Sequence, residues 1–441
     1  MRIFVLSGTN DCDNLGDLAM LQIALQRLKM LWPDAAIRVL TAAPAKLEFY
    51  CPGVEPVPWH GCKRWLRAAA LPRFFFPEIR PEIRRQFPIV RKNLPALARL
   101  LFPSDGTAAR KFADALFSAD LLVLSGCGMI TDAFCLNALR VLDTFEAAIR
   151  CGIPTVMLGQ GFGPIQGEKL FRRAAQVLPR VGAIFIRESS ASLPLLQKLG
   201  VPEEKTFLTG DDAVEFAFRE KPAAPGGCLG VNLRLASYAS LKAEILGTVR
   251  MTLAEKARLH RTTLTGVPIL IGQGNSDVQT LRQLIGGEGS GGDLDTPLKA
   301  VRQISNCRVV VTGSYHAGVF ALARGIPIVG IVQSDYYRDK FYGLASEFGE
   351  GCTVLRADDA EFSKKLGTAI DELWMRADDL KTNLLSAAER QVSAAQTAYA
   401  RLPGLLWGKA PLPRKISLTN PQANPAIDAA RTSSPAATRP L

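Results

Sequence analysis

Short, almost wholly apolar runs alternate with longer stretches in which apolar residues recur every three or four positions, and this continues through most of the chain. Such runs predict parallel strands buried on both faces, and the stretches between them predict the helices that cross from strand to strand. In the first half the pattern places strands at Arg2–Ser7, Ile37–Thr41, Asp120–Ser125, Pro154–Gly159 and Ala183–Arg187. Helices are expected at Gly16–Trp32, Thr131–Cys151, Glu168–Leu178 and Ser190–Leu199. A break at Arg219–Gly227, where KPAAPGG reads as a linker, precedes a second round. Its strands fall at Cys228–Arg234, Val267–Gln273, Arg308–Thr312 and Ile326–Val332, with helices reaching to about Leu264, near Val278–Ile285, before Asn306 and at Tyr315–Arg324. Gly286–Asp293 (GGEGSGGD) is expected to be a flexible loop, either a mobile lid or a surface linker.

The fold class that follows is α/β, with two Rossmann-like domains facing a cleft. The expected division is an N-terminal domain over 1–218, a C-terminal domain over 228–371, a helical region over 372–402 that packs back onto the first domain, and a tail over 408–441. That tail is rich in Pro, Ala, Ser and Thr and is expected to be disordered. A chain of 441 residues, 48% of them hydrophobic, is long enough for two cores. The opening MRIFVLSGTND has too short an apolar run for a signal peptide, and no uninterrupted apolar stretch reaches the ~18 residues of a membrane span. Nine scattered cysteines without a C-x-x-C pair predict neither a zinc ribbon nor a redox motif. Free thiols in a reducing cytoplasm are the expectation, with Cys127 and Cys135 as core filler rather than nucleophiles.

The net charge of +12 is concentrated between Lys63 and Lys111, where twelve basic residues face three acidic ones. The insertion at about 59–111 interleaves those cations with Trp65, Phe74–Phe76 and Phe87. It reads as a solvated insertion or as a surface that makes peripheral contact with an anionic membrane or a lipid-linked saccharide. No nucleic-acid motif accompanies the charge, so nucleic acid is not an expected partner.

Ligands of open parallel sheets bind beyond the carboxyl ends of the strands, which directs attention to four strand-to-helix turns. In Ser7–Asp17, Asn14 suits a helix N-cap and Asp17 its capping-box partner, and the same residues suit contact with sugar hydroxyls. Leu124–Asp132, with Gly126, and Gly159–Gly167, with Gly161, are Gly-rich turns where a backbone is free to approach a ligand. In Val309–Phe320, Gly313 turns the chain and Ser314 is placed to cap a helix beginning at Tyr315, so that His316 falls beside N–H groups that favour an anion. Arg187 and Arg234 each close a strand, where a guanidinium holds a carboxylate or phosphate, or bridges elements by an ion pair. No carboxylate cluster demands a metal.

Several of these segments together resemble the polysaccharide pyruvyl transferase family over roughly residues 1–355. They are N-x-G-D at Asn14–Asp17, G-x-G-x-G-P at Gly159–Pro164, R-E-S at Arg187–Ser189, Asp211 and Asp212 in TGDDAVEF, V-N-L-R at Val231–Arg234, and GSYHAGVFALARGIPIVGI at Gly313–Ile331. The resemblance implies a glycosyltransferase-B-like architecture and transfer of a pyruvyl group from phosphoenolpyruvate to two hydroxyls of a glycan, as a ketal, with release of phosphate. No cofactor beyond the donor substrate is implied, and the expected setting is cytoplasmic, at or near the inner face of the membrane. His316 aligns with the family's active-site histidine. Arg234 aligns with a donor-binding basic residue, joined by Gly313, Ser314, Tyr315 and Arg187. Asn14, Gly16, Asp17, Gly126, Gly161, Asp211 and Asp212 are the expected acceptor or cleft residues. One departure stands out: many members carry Arg-Leu-His where this chain has Ser314-Tyr315-His316, so another cation (Arg187, Arg338 or Lys340) must neutralise the donor, or the donor differs. A nucleotide-sugar transferase and a non-catalytic glycan- or anion-binding protein are the alternative readings.

Overall fold

The computed structural model describes residues 1–62, 107–220, 226–234, 243–272, 276–287 and 289–408. Most of the basic insertion, the first five residues of the KPAAPGG linker and the tail beyond 408 lie outside the described residues.

Eight strands form the first sheet: β1 (Arg2–Leu6), β2 (Ala36–Thr41), β3 (Glu55–Pro58), β4 (Leu121–Leu124), β5 (Cys127–Ile130), β6 (Thr155–Phe162), β7 (Ala183–Ile186) and β8 (Thr206–Leu208). Their spatial order is β3-β2-β1-β4-β6-β7-β8, with β5 paired to β6. The second sheet is built from β9 (Cys228–Asn232), β10 (Leu264–Gly266), β11 (Cys307–Thr312), β12 (Ile328–Val332) and β13 (Cys352–Arg356), in the order β10-β9-β11-β12-β13. Every strand pair is parallel. The strand composition accounts for this. LLVL in β4 and IVGIV in β12 are buried along their whole length, which suits sheets covered by helices on both faces.

The core of the second sheet also takes in helices of the first unit. Leu15, Ala19 and Met20 of the first helix (Leu15–Leu31) and Ala213, Val214 and Ala217 of a short helix (Asp212–Phe218) pack into the same cluster as β9, β11 and β12. A 46-residue helix, Phe362–Trp407, then runs across both units, about 70 Å at 1.5 Å per residue. Its first turns bury Leu366, Ile370 and Leu373 against the second unit, and its last turns bury Ala398, Tyr399 and Leu402 against the first. Tyr399 stacks edge-on to Phe185 at 5.6 Å, lies beneath the Arg27 guanidinium at 4.9 Å, and donates its hydroxyl to Asp212 Oδ2 at 2.9 Å.

Five expectations change. The Gly159–Gly167 segment is not a turn from its start: β6 continues to Phe162, absorbing Gly159 and Gly161 through a register shift against β7 between Met157 and Gln160. The Leu124–Asp132 turn contains a strand of its own, β5. The strand expected at Val267–Gln273 is instead Leu264–Gly266, because the chain after Gly266 leaves the sheet to bond the first unit. The Gly286–Asp293 loop is fastened at Gly289, whose carbonyl accepts the Gly266 N–H at 2.7 Å, and Ser290 is buried, so its described part is docked rather than lid-like. The C-terminal helix starts ten residues earlier than its periodicity suggested, at Phe362.

Replacing Tyr399 by Ala removes a buried ring and strands the Asp212 carboxyl. A loss of about 3–5 kcal/mol in urea unfolding is expected; a change within experimental error would show that the long helix is not fastened there.

Candidate active site

Each sheet reverses its strand order once, β1 against β4 in the first and β9 against β11 in the second, and such switch points open a crevice at the strands' carboxyl ends. Here the two crevices face one another. Gly8 N–H after β1 bonds Ser125 Oγ after β4 at 3.1 Å, and Gly313 N–H after β11 bonds the Asn232 carbonyl of β9 at 2.9 Å. Between them the loop of one unit pairs with the loop of the other: Leu15 N–H donates to Ile269 O and Ile271 N–H to Asp13 O, both at 2.9 Å. The cavity between them has a volume of about 240 Å³. A larger hollow of about 380 Å³ lies at the amino ends of β9 and β11, the wrong end of the sheet for a ligand. There Arg308 is paired with Asp378, and Arg324 with the Ala217 and Glu220 carbonyls.

Arg187 reaches the cavity because Glu188 shapes the turn behind it, accepting from the Ala191 and Ser192 N–H groups at 2.8 and 3.0 Å. The guanidinium is buried, lies 4.2 Å over the Tyr315 ring, and donates Nη1 to Asp211 Oδ2 at 3.3 Å. A Cβ at Gly161 would stand 2.7 Å from Arg187 Nε, so the glycine of β6 makes room for the cation. Nε and Nη2 have no hydrogen-bond partner among the described residues. Burial opposes the charge, but Tyr315 and Asp211 keep the group protonated. Lys340 enters from the helix Asp335–Phe348, where its Nζ bonds Tyr336 Oη and lies 3.9 Å over that ring. Burial, followed by the nearby Arg187, pulls its pKa well below the usual lysine value.

His316 stands in the first turn of the helix Tyr315–Ala323, 6% exposed. Its Nε2 is 3.9 Å from Asp17 Oδ1 and 3.8 Å from Asp211 Oδ2, with no hydrogen-bond partner among the described residues. Burial and then the cations Arg187, Lys340 and Arg234 push its pKa well below the ordinary value, so the imidazole is neutral at neutral pH. The ring rests directly on Gly16, where a Cβ would overlap its Cγ. Asp17 faces it with a pKa raised to about 6, chiefly by burial, against the lowering pull of Lys340 and Arg187.

The remaining expected residues divide clearly. Asn14 is the N-cap, accepting from Gly16 and Asp17 N–H at 3.0 and 3.3 Å, while Asp17 turns away from any capping box and into the cavity. Ser314 makes no side-chain cap and lines the cavity instead, its N–H donating to Thr312 Oγ1 at 2.9 Å. Asp211 does cap a helix, accepting from Ala213 N–H at 2.9 Å, and burial raises its pKa despite Arg187. Arg234 lines the cavity but is held in a two-point pair by Asp277, at 2.9 and 3.0 Å, and Asp277 also accepts from the Ile269 and Leu270 N–H groups. Gly126 packs on Met20, Gly313 serves the turn, and Asp212 belongs to the Tyr399 and Arg27 cluster outside the cavity. Arg338 is paired with Asp335 and Asp339 and does not line the cavity, whereas Arg187 and Lys340 do. Cys127 lines the wall as a thiol, its pKa pushed up to about 12 by burial. Sequence reasoning missed Tyr336, Tyr337, Asn137 and Phe134; SDYYRDK follows β12, so the strand-end rule applied once more would have found the tyrosines. Among the described residues there is no group of three or more His, Cys, Asp or Glu placed to hold a metal, and no helix long and apolar enough to cross a membrane.

Two parallel α/β units meeting at opposed switch points define a glycosyltransferase-B-like protein. The solved structures agree at the level of the fold. A putative UDP-N-acetylglucosamine 2-epimerase from Listeria monocytogenes aligns over 95% of this chain and 99% of its own, with a TM-score of 0.55 at 11% identity. UDP-GlcNAc 2-epimerase from Neisseria meningitidis aligns over 91% and 100%, with a TM-score of 0.54 at 11% identity. The chain belongs to the polysaccharide pyruvyl transferase family, whose model matches residues 14–335. It is also similar to the amylovoran biosynthesis protein AmsJ of Erwinia amylovora, 23% identical over 217 residues; the match covers 47% of this chain and 48% of that protein, about half the length of each.

Gly16→Ala places a methyl group inside the His316 ring. It is expected to destabilise the fold by about 1–3 kcal/mol and to move the imidazole; an unchanged melting temperature would contradict the contact. Asp17 and Asp212, the latter raised to about 7 by burial, bind their protons more tightly folded than at the ordinary 3.8. The stability they contribute is therefore complete below about pH 4 and is lost as pH rises through about 6 and 7. The melting temperature should fall between about pH 4 and pH 7, less steeply in Asp212→Asn; identical slopes in both proteins would refute the assignment.

Proposed function

We propose that the chain transfers a pyruvyl group from phosphoenolpyruvate to a pair of hydroxyls on a glycan, free or lipid-linked, forming a ketal and releasing phosphate. The observation that carries this reading is the convergence of unsatisfied anion-binding groups on a small cavity. Arg187 Nε and Nη2 have no partner among the described residues, Lys340 stands beside them, and the N-terminus of the Tyr315–Ala323 helix opens where no side chain caps it. Buried donors left open in this way are completed by a ligand of opposite charge. A donor with both a carboxylate and a phosphate satisfies two cations at once, where a neutral sugar would not.

Size separates this reading from a nucleotide-sugar donor. At about 240 Å³ the cavity lies below the ~300–1,000 Å³ range of pockets that enclose drug-sized molecules. A three-carbon anion suits that space, with the acceptor hydroxyls entering past Thr9, Asn10 and Asn137. Arg234, braced by Asp277, extends the positive wall, and neutral His316 is ready to accept a proton. Membrane contact through the basic insertion and a cytoplasmic setting belong to the same proposal.

The test is phosphate release from phosphoenolpyruvate, dependent on glycan isolated from cells that lack this gene. His316→Ala should lower kcat by about 10²–10⁴, and Arg187→Ala should raise KM for the donor. Glycan binding without turnover of any donor would sink the enzymatic reading.

A further inference from the structure

Among the described carboxylates around the cavity, Asp17 is the one whose side chain makes no hydrogen bond to a described residue. Asp11 accepts from Thr9 Oγ1 at 3.2 Å and from Asp13 N–H at 3.1 Å. Asp211 is occupied by Ala213 N–H and Arg187. The other proton carriers of the wall are also engaged: Cys127 donates to Gln160 Oε1 at 3.2 Å, Tyr336 to the Gly128 carbonyl at 2.9 Å, and Lys340 to Tyr336. Asn14 has already taken the first-turn N–H groups, so Asp17 is not needed as a cap. Its side chain is only 18% exposed, and 3.9 Å from its Oδ1 stands His316 Nε2, itself without a hydrogen-bond partner among the described residues. Two unpartnered proton carriers thus stand side by side, next to the open face of Arg187.

We propose that Asp17 is the catalytic acid that protonates the methylene carbon of the enolpyruvyl donor, and that His316 is the base that takes the proton of the first acceptor hydroxyl. The proposal rests on phosphoenolpyruvate being the donor. The Asp17 carboxyl gives its proton to the methylene carbon, and the first hydroxyl oxygen bonds to the adjacent carbon while its proton passes to His316 Nε2. The bond from that carbon to the phosphate oxygen then breaks, and the imidazolium returns its proton to the departing phosphate. The second hydroxyl attacks the same carbon and its proton restores the Asp17 carboxyl. Both side chains end as they began, and the products are the ketal and hydrogen phosphate. The protonation states fit the roles: burial keeps a large share of Asp17 protonated near pH 6 and keeps His316 neutral, and two neighbouring groups driven apart in this way are the mark of an acid and base pair. The groups facing Asp17 are Lys340, Arg187 and Arg234, which favour its charge, Asp211, which opposes it, and His316, Tyr336 and Cys127. A bound trianion offsets the cations and raises the carboxyl's pKa further.

The test uses the full chain, with phosphoenolpyruvate binding followed by calorimetry and turnover followed with glycan from cells lacking the gene. Asp17→Asn, isosteric and uncharged, is expected to bind the donor as tightly as the wild type or more so, to melt no lower, and to lose about 10²–10⁴ in kcat. The wild-type kcat should decline as pH rises and Asp17 gives up its proton, and that limb should be missing from the residual activity of the variant. Asp17→Asn with near wild-type kcat and the same alkaline limb would overturn the proposal, as would loss of donor binding together with turnover, which marks a structural role. A wild type that neither binds phosphoenolpyruvate nor releases phosphate from it would instead remove the donor reading itself.

Discussion

The contact between the His316 ring and the backbone of Gly16 sets the geometry of everything around it. It joins the first turn of the first unit's leading helix to the first turn of the Tyr315–Ala323 helix of the second unit. The Asn14–Leu270 bridge lies beside it and holds the same two loops in register. Because the approach is so close, the imidazole has little freedom to swing, and its Nε2 is fixed between Asp17 and Asp211. Catalytic groups held by packing rather than by long flexible side chains are ready for the transition state without reorganisation.

Around that contact the protein buries more charge than it pairs. Arg187 is only partly satisfied by Asp211 and Tyr315, Lys340 is held well below its usual pKa by burial and the nearby Arg187, and Asp17 is pushed toward its neutral form. Each is a cost to folding, since a buried ion or polar atom without its full complement of partners is disfavoured by kilocalories. Under the proposed function an anionic donor would remove much of that cost on binding, and the arrangement would trade stability of the empty protein for affinity and for poised proton carriers. The structural pairs elsewhere behave differently. Arg234 and Asp277 satisfy each other at two points, and the five backbone and side-chain donor atoms on Asp277 outweigh its burial to keep it ionised.

The long C-terminal helix explains why two units with a cleft between them hold such exact side-chain distances. It is packed into both cores, and through Tyr399 it grips Asp212, the immediate neighbour of Asp211. The adjacent aspartates therefore face opposite ways: Asp211 toward the cavity and Arg187, Asp212 toward the helix and Arg27.

Much of the fold was legible in the one-dimensional pattern. Strands buried on both faces must be apolar throughout, so β1, β4, β11 and β12 announce a parallel sheet before any packing is known, and the rule that ligands gather at strand ends singles out Arg187, Arg234 and His316. Local hydrogen bonding likewise makes Asn14 a cap wherever a helix follows it. What local pattern does not encode is which way a side chain faces when its partners are far along the chain. The division of labour between Asp211 and Asp212 depends on Tyr399, 187 residues from Asp212. The idleness of Asp17 depends on His316 arriving from the other unit, and the room for Arg187 depends on a glycine in β6. Burial and charge environment are properties of the assembled neighbourhood, and only the tertiary structure brings these residues within the few ångströms over which proton affinities are set.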